Sequence, residues 1–281
     1  MIPAEFDYVA PDSLEEAIRA LAEGGEDAKL LAGGHSLLPL MKLRLAAPSL
    51  LVDLRRVDGL AGVRRNGSLS VGAMTTHAAL AREGVGLLSA AAATIADPQV
   101  RHRGTIGGSL AHGDPASDLP AVALAAEAEL VAQGPSGERT IAASEFFRDY
   151  LETALAADEV ITEVRLPQGF EGWSFGYEKF NRRQEDWAMV AVCVLVRREG
   201  DTAADVRVGL TNMGSTPLRA RAVEEALRGQ PLSSESIARA AEQAAEGTSP
   251  PADLNASADY KRHLARVLCR RALERATAAG G

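Results

Sequence analysis

Two short glycine-rich segments carry the residue types best suited to chemistry in this chain. The first is Ala32-Gly33-Gly34-His35-Ser36, and the second is Thr105-Ile106-Gly107-Gly108-Ser109, which continues to Asp118. Each segment places paired glycines beside small hydroxyl side chains, a composition that lets bare backbone N–H groups close on a phosphate. Together the two segments predict a bound nucleotide cofactor.

The first segment has the local context of a phosphate loop, because it follows the strand-like run 28–31 and precedes a helix. It lacks the Lys-Ser/Thr ending of a P-loop, however. The nearest dinucleotide fingerprint, at residues 84–89, misses its last glycine, so a nicotinamide site is not supported. A lone Gly-Gly pair commonly makes only a tight turn, and it is the presence of two pairs that favours the cofactor.

The residues around the first segment predict a small parallel unit of strand, glycine turn, helix and strand. Apolar spacing predicts a helix over 13–23 with Ser13 and Glu16 as a capping box, and strands over 28–31 and 50–54. Ser36 is the predicted N-cap of the intervening helix. In such a right-handed crossover, the turn and the helix amino terminus face one anion site.

From residue 62 the pattern changes to antiparallel strands with interspersed helices. Asn66-Gly67 predicts a hairpin with a type I′ turn, and proline and glycine at 167–172 suggest a boundary before a second domain near Trp173. The remaining predicted elements are helices over 76–82 and 86–96, strands over 127–133, 138–141, 158–166, 173–180, 187–198 and 204–213, and three helical stretches ending with 260–278.

Composition excludes several classes of function. The formal net charge of −8 disfavours a nucleic-acid partner. No secretory signal is visible, and the longest apolar run, 188–196, is too short to span a membrane, so we expect a cytoplasmic protein. Cys193 and Cys269 are predicted to be buried thiols, and two cysteines cannot hold an iron–sulfur cluster, which needs about four thiolates.

These motifs resemble the FAD-binding medium subunit of the molybdenum hydroxylases, the family that includes carbon monoxide dehydrogenase and xanthine dehydrogenase. Residues 32–39 look like its first pyrophosphate loop and 105–118 like its second, although Ser109 stands where the family often has Asn or Asp. Residues 177–188 resemble the segment that opens the family's carboxyl-terminal domain. The resemblance covers nearly the whole chain.

The resemblance implies an α+β fold in two domains. Residues 1–170 would form a PCMH-type FAD-binding domain, made of a small parallel α/β subdomain (1–60) and an antiparallel-sheet subdomain with helices (61–170). Residues 171–281 would form a smaller carboxyl-terminal domain of antiparallel strands and helices.

The resemblance also implies a set of cofactor-binding residues on this chain, with no catalytic residue and no metal ligand. They are Leu31, Ala32, Gly33, Gly34, His35, Ser36, Leu37, Thr105, Ile106, Gly107, Gly108, Ser109, His112, Asp118, Val160, Lys179 and Trp187.

Three of these residues are expected to contact particular parts of the cofactor, and each has a plainer alternative. Trp187 would pack near the flavin ring, or be buried in the core at the head of a strand. Lys179 would lie near the polar side of the ring, or be a surface lysine. Asp118 would bind a ribityl or ribose hydroxyl, since a carboxylate accepts two such bonds, or cap a helix beginning near Leu119, and both roles could hold together.

The histidines of the two loops carry a further expectation. His35 and His112 could each donate to phosphate oxygens, and a metal site at His102 and His112 is the less favoured alternative.

By resemblance, the chain is the electron-transfer subunit of a heterotrimer. It would take electrons from two two-iron two-sulfur clusters on a small partner subunit while a large partner oxidises substrate at a molybdenum cofactor, in a dimer of heterotrimers. The alternatives are an autonomous flavin reductase, for which Arg101, Arg103 and Arg182 are available, or a scaffold without cofactor. The sequence identifies neither the substrate nor the final electron acceptor.

Overall fold

The computed structural model describes residues 2–65, 68–166 and 170–278. These residues form three units, each built on its own sheet, with a further two-stranded ribbon in the second unit. No helix in these ranges is long and apolar enough to cross a lipid bilayer.

The first unit is a three-stranded parallel sheet with order β1-β3-β2. Its elements are β1 (Asp7–Val9), α1 (Leu14–Gly24), β2 (Ala28–Leu31), α2 (Leu37–Lys42) and β3 (Leu50–Asp53).

Local sequence explains α1 better than it explains α2. The Ser13 hydroxyl caps α1 by accepting the N–H of Glu16 at 3.2 Å, and α1 buries Ala17, Ile18 and Leu21 at helical spacing, as predicted. The prediction that Ser36 caps α2 was wrong, because its side chain makes no capping bond and its own backbone is helical.

The second unit is a five-stranded antiparallel sheet, order β4-β5-β10-β6-β7, covered by helices. Its elements are β4 (Val63–Arg65), β5 (Leu69–Gly72), α3 (His77–Arg82), α4 (Gly86–Ala92), α5 (Pro98–Arg103), α6 (Ile106–His112), α7 (Asp118–Ala125), β6 (Glu129–Gly134), β7 (Gly137–Ala142), α8 (Ala143–Phe146), β8 (Phe147–Asp149), β9 (Glu152–Thr153) and β10 (Val160–Leu166).

The strand predictions for this unit hold and the helix predictions hold in part. β4 pairs with β5 as expected, but the type I′ turn at Asn66-Gly67 lies outside the described residues, as do 167–169 of the suggested domain boundary. The helix predicted to reach residue 96 ends at Ala92, and sequence analysis placed no helix on α5 or α6.

The third unit is a four-stranded antiparallel sheet, order β11-β12-β13-β14, with helices on one face. Its elements are β11 (Trp173–Phe180), β12 (Val190–Glu199), β13 (Thr202–Thr211), β14 (Leu218–Arg219), α9 (Arg221–Leu227), α10 (Ser234–Ala241) and α11 (Ala258–Ala278).

Strand β12 of the third sheet is buried on both of its faces. Val192 and Val194 pack in the core beneath α11, whereas Cys193 and Leu195 belong to the core of the second unit. On that second face the main chain of α7 lies directly against Gly209 of β13, where any Cβ would collide with the backbone of α7. The second and third units therefore pack directly against each other.

Both thiols are free and buried, as predicted. Burial raises the pKa of Cys193 to about 12 and that of Cys269 to about 12, so both remain protonated at neutral pH.

Candidate cofactor site

A cleft of about 600 Å³ opens where the three units meet, a volume typical of small-molecule and cofactor sites. Of the 17 predicted cofactor-binding residues, 15 line it. The two exceptions are Leu31, which packs with Met41 and Leu51 in the core of the first unit, and Ile106, which is buried in the core of the second. Neither side chain reaches the cleft.

The first glycine segment presents a run of free backbone donors to the cleft. Among the described residues, the N–H groups of 33–37 have no hydrogen-bond acceptor, and the first bond of α2 runs from the Leu38 N–H to the Gly34 oxygen at 3.0 Å. Gly34 has φ +78°, a left-handed backbone that favours glycine. Consecutive free amides around such a residue make a concave anion-binding loop.

The two glycine segments touch through backbone alone. A Cβ on Gly33 would collide with the carbonyl oxygen of Arg103 and lie 2.7 Å from Cα of Gly104. Residues 103 and 104 immediately precede the second segment. A glycine at position 33 therefore allows the two segments to approach closely enough to form a single site.

The paired glycines of the second segment offer no free amides, which corrects the sequence-based expectation. The Gly107 N–H donates to the Ala73 oxygen at 2.8 Å, and the Gly108 N–H donates to the Thr105 hydroxyl at 3.2 Å. A Cβ on Gly107 would lie 2.5 Å from that of Ala73. These glycines thus allow α6 to pack closely against its neighbours. The segment contributes Ser109 and His112, among other residues, to the lining of the cleft.

Asp118 and Lys179 form a buried ion pair at another part of the cleft wall. The Lys179 ammonium lies 2.9 Å from Oδ2 of Asp118, the Tyr177 hydroxyl donates to Oδ1 at 2.5 Å, and both charged side chains are 5% exposed. Burial raises the pKa of Asp118, while Lys179 and the Tyr177 hydroxyl oppose that rise. Burial, and next Asp118, raise the pKa of Tyr177 well above its usual value.

Two alternatives from the sequence are therefore wrong. Lys179 is not a surface lysine, and Asp118 is not an N-cap, because α7 begins at Asp118 itself and Ser117 precedes it.

Trp187 lies in the connection between β11 and β12 and is 57% exposed, although it lines the cleft. The alternative of burial in the core is therefore wrong. An exposed indole that lines a cleft is compatible with the predicted position beside the flavin.

The histidines of the loops give no metal site. His35 and His112 both line the cleft, and burial lowers the pKa of His112 despite the opposing charge of Asp114. His102 is exposed, with Nδ1 2.6 Å from the Pro98 oxygen. In the part of the chain that the structure describes, no group of three or more His, Cys, Asp or Glu residues is placed to hold a metal ion.

The cleft therefore fits a ligand with both anionic and apolar parts. The free amides of 33–37 suit an anionic group, and Leu30, Leu54 and Ile95 are among the apolar lining residues. Comparison with known families agrees: residues 4–169 match the FAD binding domain in molybdopterin dehydrogenase, and 175–276 match the CO dehydrogenase flavoprotein C-terminal domain. The chain belongs to the FAD-binding medium subunits of the molybdenum hydroxylases.

Relatives of this medium subunit match it from end to end. The carbon monoxide dehydrogenase medium chain of Hydrogenophaga pseudoflava is 44% identical and covers 99% of each chain. The 6-hydroxypseudooxynicotine dehydrogenase complex subunit alpha of Paenarthrobacter nicotinovorans is 41% identical over 98% of this chain and 96% of its own. The solved H. pseudoflava carbon monoxide dehydrogenase superposes with a TM-score of 0.95 at 45% identity, covering 99% of each chain. The predicted family and α+β fold are confirmed.

Sequence analysis missed several cleft residues of the medium subunit, among them Met74, His77 and Thr153. The one local signal was Thr76, whose hydroxyl accepts the Ala79 N–H at 3.2 Å and so fixes His77 in the first turn of α3. Burial, and next His35 and Arg101, lower the pKa of His77 to about 4.

Proposed function

We propose that this medium subunit holds one FAD in the cleft and carries electrons from iron–sulfur clusters on a small partner subunit, through the flavin, to an external acceptor. Substrate oxidation would take place at a molybdenum cofactor on a large partner subunit. The observation that carries the proposal is the run of free amides at 33–37 inside the cleft, in a chain whose relatives match over their full length.

The residues of the chain would bind and orient the cofactor. The amides of 33–37 would hold the diphosphate, with the side chains of Ser109 and His112 closing over it from α6. Trp187 would cover one face of the flavin, and the buried Lys179–Asp118 pair would set the polarity of the wall beside it. When bound, FAD supplies the ability to accept electrons singly and release them in pairs.

The chain needs partners for the rest of the reaction. Its only two cysteines, Cys193 and Cys269, are both buried, so it has no thiolate set for an iron–sulfur cluster. We therefore assign the clusters and the molybdenum cofactor to a small and a large subunit, in a dimer of heterotrimers.

The substrate is not assigned. Relatives at 44% and 41% identity belong, by name, to a carbon monoxide dehydrogenase and to a 6-hydroxypseudooxynicotine dehydrogenase, so this subunit does not distinguish such substrates.

The proposal is tested by purifying the tagged full-length chain with its partners under mild conditions. An absorption spectrum and metal analysis should then show flavin on this chain and iron with molybdenum in the co-eluting subunits. A yellow chain with no metal-containing partner would instead indicate an autonomous flavoprotein, and a colourless one a scaffold.

A variant and its matched control test whether the flavin binds in the cleft. Gly33→Ala adds a Cβ that collides with the backbone of residue 103, whereas Ala46→Gly changes a residue of the same unit that does not line the cleft. Gly33→Ala should lose flavin and Ala46→Gly should retain it.

A further inference from the structure

His77 is a buried histidine with one ring nitrogen left unpaired in the part of the chain that the structure describes. It is 5% exposed, and among the described residues its Nδ1 has no hydrogen-bond partner. An unpaired buried nitrogen disfavours folding, so its presence in a native structure calls for an explanation. His77 also lines the cleft.

The fold brings the imidazole to the junction of the two glycine segments. A Cβ on Gly104 would lie 2.7 Å from Cδ2 and 2.9 Å from Nε2 of His77, so the ring lies directly on this glycine. A Cβ on Gly33 would lie 2.7 Å from Cα of the same Gly104. Gly104 therefore lies against both the imidazole and Gly33 of the first segment, and the backbone N–H of His77 fixes its position by donating to the Gly104 oxygen at 2.9 Å.

A neutral imidazole at this position has one N–H to donate. Its surroundings include His35 on the first segment and Arg101 on α5, whose guanidinium donates to the oxygens of Ile95 and Ala96, each at 2.7 Å. With a pKa of about 4, the imidazole is neutral at neutral pH and carries one proton. Nδ1 is buried with no hydrogen-bond partner among the described residues, so a proton there would have no acceptor, whereas a proton on Nε2 could be donated to a ligand in the cleft.

We propose that His77 binds the diphosphate of the cofactor by donating its Nε2–H to a phosphate oxygen held by the amides of 33–37. The inference rests on the proposed function, since it presumes that a diphosphate occupies the loop. It adds a side chain from α3 to a diphosphate site that the sequence assigned to the two glycine segments.

Three substitutions separate this role from a packing role. His77→Gln keeps an amide donor near the position of Nε2, His77→Asn places its donor near Nδ1, and His77→Leu removes the donor while filling similar volume. The control is His102→Leu, which changes an exposed histidine on α5.

The measurements are FAD titration of the flavin-free full-length chain followed by flavin fluorescence, competition by ADP, and the thermal midpoint of the flavin-free chain. We expect His77→Leu and His77→Asn to weaken both FAD and ADP about tenfold or more, and His77→Gln to stay within about threefold of wild type. His102→Leu should match wild type. The thermal midpoint of His77→Leu should be equal to or above that of wild type, because the unpaired nitrogen is gone.

The outcomes are separable from those of the proposed function. A wild-type chain that binds no FAD overturns the proposed function and this inference with it. Wild-type binding that His77→Leu leaves unchanged overturns the inference alone, as does an equal loss in the Gln and Asn variants together with a lower thermal midpoint. If His77→Leu does not fold, the comparison of Gln with Asn decides.

Discussion

The buried imidazole of His77 predicts a specific acid sensitivity of the flavin-free chain. Its pKa falls from the ordinary 6.5 to about 4 on folding, with burial as the main cause. Between these values the unfolded chain binds a proton that the folded chain does not, so stability falls as the pH falls. The part of the free energy of unfolding that depends on His77 is nearly fully present above pH 6.5, and it is lost progressively as the pH falls to 4.

The size of this effect follows from the two pKa values. A shift from 6.5 to about 4 corresponds to about 3 kcal/mol once the pH is below both values, and the part lost between pH 7 and pH 5 is about 2 kcal/mol. His77→Leu has no titrating group at this position. Its free energy of unfolding should therefore fall by about 2 kcal/mol less than that of wild type over the same range.

Urea unfolding of the flavin-free wild type, His77→Leu and His102→Leu at pH 7, 6 and 5 measures this difference directly. His102→Leu should follow wild type, because that histidine is exposed. Parallel pH profiles for wild type and His77→Leu, within about 0.5 kcal/mol, would refute the assignment of a neutral buried imidazole. Saturating FAD should reduce the difference, because a phosphate beside the ring would raise the pKa of His77.

Three further predictions concern other parts of the cleft. Gly33→Ala should lower the thermal midpoint as well as flavin content, because the added Cβ collides with the backbone at Arg103, and a normal midpoint in a thermal melt would count against that contact. Lys179→Met should cost about 3–5 kcal/mol in urea unfolding by leaving the buried Asp118 carboxylate unpaired, and adding Asp118→Asn should recover at least half. Trp187→Ala should change the free energy of unfolding by less than about 0.5 kcal/mol, because the indole is 57% exposed, yet increase quenching of bound flavin by iodide; unchanged quenching would place Trp187 away from the ring.

The elements that local periodicity controls were predictable from the sequence. The parallel unit and the strand of residues 158–166 lie within a few residues of their predicted bounds, since apolar spacing and turn residues specify them. Helix α5 was missed although its signal was present: Asp97 caps it by accepting the Val100 N–H, and Pro98 opens its first turn. The signal was obscured because α5 is short and carries no buried residue.

Contacts between distant segments were not predictable in the same way. The Asp118–Lys179 pair spans 61 positions, and no spacing rule connects them. Resemblance to a family placed both residues near the cofactor but did not show that they bind each other. For Asp118 and Lys179, only the tertiary structure showed that the plainer interpretations, a helix cap and a surface lysine, were wrong.

The two glycine pairs show why one sequence pattern can serve two physical purposes. The amides that follow Gly33 are free, whereas the amides of Gly107 and Gly108 are used within the protein, by Ala73 and Thr105. The sequence pattern predicts the same role for both glycine pairs, because it specifies the glycines but not which atom accepts each backbone N–H. Under the proposed function, the backbone of the first unit would bind the diphosphate, while the second unit would contribute side chains from α3 and α6. A diphosphate held between them would bridge the two units.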